Sequence, residues 1–165
     1  MTDLPIYVLD REFNAPRDLV WRTWTEAEFL SHWYGPGVTT IIHKLDVRAG
    51  GVWLNEMKMG DRSAYERMDY TQVDPKTRLE WHHSVTDADW NPAANPMMPD
   101  WPRVLLTVVT FTDLADGRTA VRLTWTPHEA NDAEIACFTG AMAGLDQGWG
   151  KGMQVLEDLL ETLKA

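Results

Sequence analysis

The pair of side chains best suited to chemistry is His82-His83, which follows Trp81 in a segment of alternating character. An imidazole changes its charge near neutral pH, so a histidine facing a cavity can act as an acid, a base or a hydrogen-bond donor. Neighbouring residues of a strand point to opposite faces, and the phase of Leu79 and Trp81 places His83 with them. His83 is therefore the weak candidate for acid–base catalysis, while a buried histidine with satisfied hydrogen bonds is the simpler interpretation.

The other titratable groups give weaker signals. Glu66 and Asp69 share a predicted strand, but nothing assigns their faces, and solvated surface charges explain them more simply. Cys137 is the single cysteine and has no basic neighbour, so we expect an inert thiol, largely buried on the last helix. The 5 histidines show no HxH or HxxxH spacing, and no nucleotide-binding or serine-hydrolase motif occurs. We expect no metal and no cofactor.

The strongest compositional bias is the 9 tryptophans in 165 residues, which favour a large aromatic surface. An apolar lining with a few polar groups is typical of small-molecule pockets. The candidate ligand-binding residues are Trp53, Asn55, Met57, Trp81, His83, Trp90, Trp101, Trp125, Met142, Leu145 and Trp149, with Arg122 as a further polar candidate. The alternative is that the tryptophans fill the core and leave no room for a ligand.

A long amphipathic helix, predicted from about Ala136 to Leu163 with Asp132 as a plausible N-cap, has to position much of this set. Its apolar residues recur at steps of three and four, which places them on one stripe. They are Met142, Leu145, Trp149, Met153, Leu156, Leu160 and Leu163. Beside them run Gly140, Gly144, Gly148 and Gly152, with Gly150 added. Each interior glycine costs roughly 1 kcal/mol relative to alanine, so the repeat indicates either a close backbone approach or empty room.

The rest of the chain predicts a sheet for this helix to cover. Residues 4–13 read as a strand, a helix follows with Pro16 in its first turn, and a second helix spans 26–33. Further strands are predicted at 39–47, 52–59, 63–73, 78–85, 104–112 and 119–126. Residues 86–102 contain Pro92, Pro96, Pro99 and Pro102 and predict a long loop. Short turns between successive strands indicate an antiparallel meander, so the predicted fold class is α+β.

Composition limits the kinds of partner. The net charge of -10 argues against nucleic-acid or anionic-membrane surfaces, which need clustered positive charge. No signal-peptide pattern and no apolar stretch of about 18 residues occurs, so we expect a cytoplasmic protein. The length fits one domain, and the oligomeric state, including a homodimer, stays open.

Several segments, taken in order, resemble the START-like (SRPBCC, helix-grip) superfamily. Within it the sequence is similar to bacterial relatives of the activator of Hsp90 ATPase C-terminal domain. These segments are residues 11–16 with Val20-Trp21, then 29–36, 46–53, 73–79 and 107–111, and finally Gly148-Trp149. The resemblance implies a single domain over 1–165, with a curved antiparallel sheet of six or seven strands gripping the C-terminal helix around a cavity. The 86–102 loop is longer than the resemblance leads us to expect, and we expect no counterpart of the separate domain of eukaryotic activators.

Members of this superfamily mostly bind hydrophobic small molecules, and a minority are cyclases, aromatases or hydrolases. We therefore expect binding of a hydrophobic or aromatic small molecule between the sheet and the last helix, with no catalysis assumed. One alternative is a polyketide cyclase/aromatase- or hydrolase-like enzyme that uses His83 in the same cavity. The other is a chaperone-interacting module, for which the 86–102 loop is the candidate surface.

Overall fold

The computed structural model describes residues 4–164, in which 3 α-helices pack against a 7-stranded antiparallel sheet. In chain order the elements are β1 (Tyr7–Phe13), α1 (Arg17–Thr25), α2 (Ala27–Trp33), β2 (Thr39–Leu45), β3 (Val52–Met59), β4 (Arg62–Asp74), β5 (Arg78–Thr86), β6 (Leu105–Asp113), β7 (Thr119–Pro127) and α3 (Asp132–Lys164). A 3-10 turn at Ala115–Gly117 joins β6 to β7. The α+β fold class, with its curved sheet, paired short helices and long last helix, is confirmed.

The strand order across the sheet is β1-β7-β6-β5-β4-β3-β2. Strands β2 to β7 form the predicted meander, and β1 pairs with β7 at the far side. The chain therefore has to cross from one edge of the sheet to the other between β1 and β2. Helices α1 and α2 make this crossing, which brings the end of α2 close to α3.

The two faces of the sheet differ in burial, and strand register assigns the side chains to them. Trp53 is paired with Met68, Met68 with His83, and His83 with Leu105, and all four are buried. Residues paired directly across a ladder share a face. This row marks the inner face, which α3 covers.

The helix starts differ from the predictions in their capping residues. The Asn131 Oδ1 accepts a 2.8 Å hydrogen bond from the Glu134 amide, so Asn131 rather than Asp132 caps α3. Pro16 stands just before the first turn of α1 and not within it, and its carbonyl accepts the Val20 amide at 3.1 Å. On α1, the side chains of Val20, Thr23 and Trp24 are buried.

Tryptophans do fill part of the core, as the alternative interpretation held. Trp24, Trp33, Trp53 and Trp81 are each 1% exposed. Trp24 contacts Trp33 edge-to-face at 4.6 Å between ring centroids, and Trp53 contacts Trp81 at 5.9 Å. Cys137 is only partly buried, because its neighbour Phe138 points into the core instead. Among residues 4–164, no helix is long and apolar enough to cross a membrane.

Candidate functional site

A cleft of about 290 Å³ lies between α3 and the segment that follows α2. Helix α3 contributes Gly144, Leu145, Gly148, Trp149 and Gly152, and the end of α2 with the segment after it contributes Trp33, Tyr34, Gly35 and Pro36. The inner face of the sheet adds Met57, Glu66 and Trp125. The helix and the sheet therefore do not meet fully along the first half of α3.

The glycine stripe of α3 serves both purposes that the sequence left open. A Cβ built on Gly144 or Gly148 would meet nothing within 4 Å, so these two glycines leave room beside the helix. A Cβ built on Gly152 would lie 3.7 Å from the Trp33 carbonyl oxygen and 3.8 Å from the Pro36 Cδ. Gly152 thus lets α3 approach the end of α2 closely, and the cleft opens from this contact towards Gly144.

The end of α2 and the turn that follows it are held in place by a hydrogen bond to α1 and by a glycine. The Trp33 indole N–H donates to the Thr23 carbonyl at 2.8 Å, which ties α2 to α1. Gly35 has a φ of 74°, and an added Cβ would lie 2.8 Å from the Thr40 Oγ1. Both the backbone conformation and the space require glycine at this position. The turn therefore presents Tyr34 to the cleft in one arrangement.

Aromatic rings form much of the cleft wall. The Trp149 ring lies 5.4 Å from the Trp125 ring and 6.0 Å from the Tyr34 ring, in both cases edge-to-face. Behind Tyr34, Trp53 supports the wall at a centroid distance of 4.8 Å. The rings brace one another, which favours a preformed hollow over a collapsible one.

One carboxylate, Glu66, reaches the cleft, and its side chain is 17% exposed. The Tyr34 hydroxyl donates a 3.1 Å hydrogen bond to the Glu66 Oε2, and the His83 Nε2 lies 3.5 Å from the same oxygen. Burial, followed by the adjacent Glu66 charge and hydrogen bond, raises the pKa of Tyr34 well above its ordinary value. Tyr34 therefore stays a neutral hydrogen-bond donor at physiological pH.

The structure separates the predicted site residues into two groups around this cleft. Met57, Trp125, Leu145 and Trp149 line it. The others that lie on the same side of the sheet are buried behind the lining or packed beside it: Trp53, Asn55, Trp81, His83, Trp101 and Met142. His83, which is 6% exposed, reaches the cleft only through Glu66.

Two of the candidates lie away from the cleft. Trp90 packs on the outer face of the sheet, with its ring 5.3 Å from His43 and 5.5 Å from Tyr65. The loop turns in that direction because the Asp87 carboxylate accepts two backbone amides and Pro92 bridges back to β5. Arg122 also faces outward, where it forms an ion pair with Asp10 at 2.6 Å. These placements correct the expectation that both residues contribute to the pocket.

Sequence reasoning missed the segment from Trp33 to Pro36 and left Glu66 unassigned. The turn Gly35-Pro36-Gly37 predicted only the end of a helix, although the aromatic pair before it lies where the sheet and α3 meet. Glu66 has the strand phase of the buried Met68 and Tyr70, which was the available signal for its face. Asp69 has the opposite phase, and its side chain is 45% exposed.

The loop between β5 and β6 is fastened to both sides of the sheet. Trp90 covers the outer face, while the Trp101 ring lies 5.6 Å from Phe138 and 6.4 Å from Trp125 on the inner side. Met97, at 81% exposed, is the large apolar side chain that this loop presents to solvent.

No group of three or more His, Cys, Asp or Glu side chains could hold a metal ion within the part of the chain that the structure describes. His82 faces outward and stacks on His128 at a centroid distance of 4.4 Å, away from the cleft. The chemistry available in the cleft is therefore that of Glu66, Tyr34 and the aromatic rings.

Comparisons with known proteins show where this fold recurs. The family model described as activator of Hsp90 ATPase homolog 1-like protein matches residues 14–161. A Mycobacterium smegmatis protein is 23% identical, with a TM-score of 0.77 and 96% of each chain covered. A Nitrosomonas europaea protein is 25% identical, with a TM-score of 0.73 and 99% of each chain covered. A protein of the dynemicin biosynthetic locus is 18% identical with a TM-score of 0.66, and the match covers 95% of this chain and 47% of that one. A comparison with curated proteins gave no significant match.

Proposed function

Because this chain belongs to the family of activator of Hsp90 ATPase homolog 1-like proteins, as its sequence resemblance predicted, we propose that it binds an apolar or aromatic small molecule in the cleft beside Trp149. The observation that carries this proposal is the hollow of about 290 Å³ between α3 and the inner face of the sheet. Ligand pockets usually start at about 300 Å³ and combine an apolar lining with few polar groups. The size favours a ligand of one or two rings.

The glycines that border the cleft support this proposal. Gly144 and Gly148 together cost about 2 kcal/mol of helix stability relative to alanine. Neither glycine brings α3 closer to another part of the chain, since an added Cβ would meet nothing within 4 Å at either position. The cost is understandable if the space they leave is used by a ligand.

The test combines tryptophan fluorescence and thermal unfolding with a pair of matched variants. We expect 4-phenylbutan-1-ol and 2-naphthylmethanol to change the Trp149 and Trp125 emission and to raise Tm in a concentration-dependent way. Gly148→Leu places a side chain in the cleft and should weaken binding at least tenfold. Gly140→Leu makes the same change on the same helix outside the cleft lining and should leave affinity unchanged.

Two results would contradict the proposal. One is that neither compound, nor a broader panel of one- and two-ring compounds, changes emission or Tm. The other is that the two leucine variants weaken binding equally, because the binding site would then lie elsewhere.

Acid–base catalysis on such a ligand is the second candidate, and the chain of contacts from Tyr34 through Glu66 to His83 favours it. Glu66 lines the cleft, so the carboxylate is the group that can take a proton from a substrate, while His83 positions it from behind. One structurally similar protein is encoded in the dynemicin biosynthetic locus, and this location is the only support that it gives to the catalytic candidate.

Hydrolysis of 2-naphthyl acetate is a direct test of the hydrolase-like version. Under this candidate Glu66→Gln lowers turnover at least tenfold with little change in KM. His83→Ala should lower turnover too, since the carboxylate loses the neighbour that positions it. Turnover that is absent, or equal in wild type and Glu66→Gln, would leave binding as the function of the cleft.

A further inference from the structure

We propose that the ligand of this cleft carries a protonated amine, which binds the Glu66 carboxylate within a wall of aromatic rings. This inference rests on the proposed binding function and specifies the chemical class of the ligand. It follows from three features of the cleft: its charge, the free oxygen of Glu66 and the types of ring around it.

The lining of the cleft contains a carboxylate and neither lysine nor arginine. Glu66 and Tyr34 are the ionisable residues of the lining, and Tyr34 stays neutral. Neither lysine nor arginine lies within salt-bridge distance of the Glu66 carboxylate among residues 4–164; its side-chain contacts there are Tyr34 and His83. A carboxylate that is largely removed from water favours a cationic partner more strongly than one on the surface.

The geometry of Glu66 leaves one oxygen available. Tyr34 and His83 both approach Oε2, at 3.1 Å and 3.5 Å. Oε1 accepts no hydrogen bond from the residues that the structure describes. An ammonium group donates three hydrogen bonds, so it can bind Oε1 without displacing the contacts that orient the carboxylate.

The rings of the lining add a second attraction for a cation. Trp33, Tyr34, Trp125 and Trp149 contribute aromatic side chains to the cleft. A cation within about 6 Å of a ring centroid is attracted by the ring quadrupole, most strongly for tryptophan. The net charge of -10 also raises the local concentration of cations around the protein. The carboxylate, the aromatic rings and the net charge of the protein thus all favour a cationic ligand.

The test uses three compounds that share a phenylbutyl body and differ in one terminal group: 4-phenylbutylamine, 4-phenylbutan-1-ol and 4-phenylbutanoate. Isothermal titration calorimetry at pH 7 gives their dissociation constants. We expect the amine to bind at least tenfold more tightly than the alcohol, and the acid to bind more weakly than both. Glu66→Gln keeps an acceptor for Tyr34 but removes the charge, and should reduce the preference for the amine to below about threefold.

Glu80→Gln is the matched control, because it makes the same change on the sheet where the carboxylate pairs with Arg78 outside the cleft. It should retain the full preference for the amine. Equal binding of amine and alcohol by the wild type would overturn the amine inference and leave the proposed binding function standing. Tighter binding of the acid would overturn it too, because the cleft would then favour an anion over a cation. Binding of none of the three compounds would count against both proposals.

Discussion

The hydroxyl of Tyr34 lies 3.1 Å from the Oε2 of Glu66, and this hydrogen bond joins the end of α2 to the fourth strand of the sheet. The two residues are far apart in the sequence, but the crossing of α1 and α2 over the sheet brings them together. The contact orients the carboxylate in the cleft and closes one wall of it. The pair therefore joins two elements of the fold and also supplies a carboxylate to the cleft.

Replacing Tyr34 by phenylalanine tests this pair. The ring and its packing against Trp53 and Trp149 are kept, while the hydrogen bond to Glu66 is lost. We expect a loss of about 1–3 kcal/mol in the free energy of unfolding, because the hydrogen bond is partly buried and its acceptor is a carboxyl group. Urea denaturation followed by tryptophan emission measures the change.

Tyr65→Phe is the control for this prediction. Tyr65 is on the same strand as Glu66, and its hydroxyl makes no hydrogen bond to the residues that the structure describes. Its removal should change the free energy of unfolding by less than about 0.5 kcal/mol. Equal losses in the two variants would show that the Tyr34–Glu66 bond adds nothing to stability.

Leucine at Gly152 should be poorly tolerated, whereas leucine at Gly140 should not. The side chain at 152 would extend beyond a Cβ that already lies 3.7 Å from the Trp33 carbonyl oxygen. We expect Gly152→Leu to cost about 1–3 kcal/mol through overpacking. Gly140→Leu meets open space and should stabilise the protein by roughly 0.5–1 kcal/mol through helix propensity.

The difference in Tm between these two variants is the quantity to measure. A change of 1 kcal/mol in the free energy of unfolding moves the Tm of a domain of this size by about 2–4 °C. The Tm of Gly152→Leu should therefore fall below that of wild type and the Tm of Gly140→Leu should rise above it, so that the two variants differ by several degrees. Stabilisation by both leucines would mean that α3 can move away from α2, and that Gly152 does not hold the two helices together.

Much of the fold could be predicted because periodicity is a local property. The three- and four-residue steps of Leu145, Trp149, Met153 and Leu156 define α3, and the alternation around Trp81 defines β5. The cleft was harder to predict, because it depends on which distant segments meet. Tyr34 and Glu66 belong to elements whose contact is set by the path of α1 and α2, and no local pattern carries that information.

The wrong placements have a similar origin. Trp90 was assigned to the pocket because it is apolar and lies in a loop, but a loop with several prolines can lead to either face of the sheet. The hydrogen bonds of Asp87 and the bridge at Pro92 decide which one. Arg122 was a polar candidate by type, although its neighbours Val121 and Leu123 take the inward phase of β7.

The two loop tryptophans can be separated by their effect on the cleft. Trp101→Ala removes a ring packed against Trp125 and Phe138, so Trp125 loses support on one side. We expect the free energy of unfolding to fall by about 0.5–1.5 kcal/mol from the lost aromatic contacts alone. The affinity for 4-phenylbutan-1-ol should also become weaker. Trp90→Ala acts on the outer face and should leave that affinity within about twofold. Fluorescence titration of both variants measures the difference, and weaker binding by Trp90→Ala would place the loop over the cleft after all.

Glu56 provides a prediction for acid pH that is independent of the cleft. Its carboxylate accepts a 2.6 Å hydrogen bond from the Ser63 hydroxyl and lies 2.8 Å from the His43 Nε2. The hydrogen bond from Ser63, and then that with His43, lowers the pKa of Glu56 below its ordinary value. The folded state therefore binds the proton more weakly than the unfolded state does. The stabilisation is fully present above the unfolded pKa of about 4.3, and it is lost as pH falls through the lower pKa of the folded state.

The stability of the Glu56→Gln variant cannot show this pH dependence, because the amide does not titrate. We expect wild type to be the more stable protein at pH 6 in urea denaturation, and the difference from Glu56→Gln to shrink steadily between pH 5 and pH 3. Ser63→Ala removes the larger of the two causes, so its stability should fall less steeply with acid than that of wild type. Parallel curves for wild type and Glu56→Gln over this range would show that Ser63 and His43 do not favour the ionised carboxylate. The outer face of β3 would then contribute no pH dependence to folding.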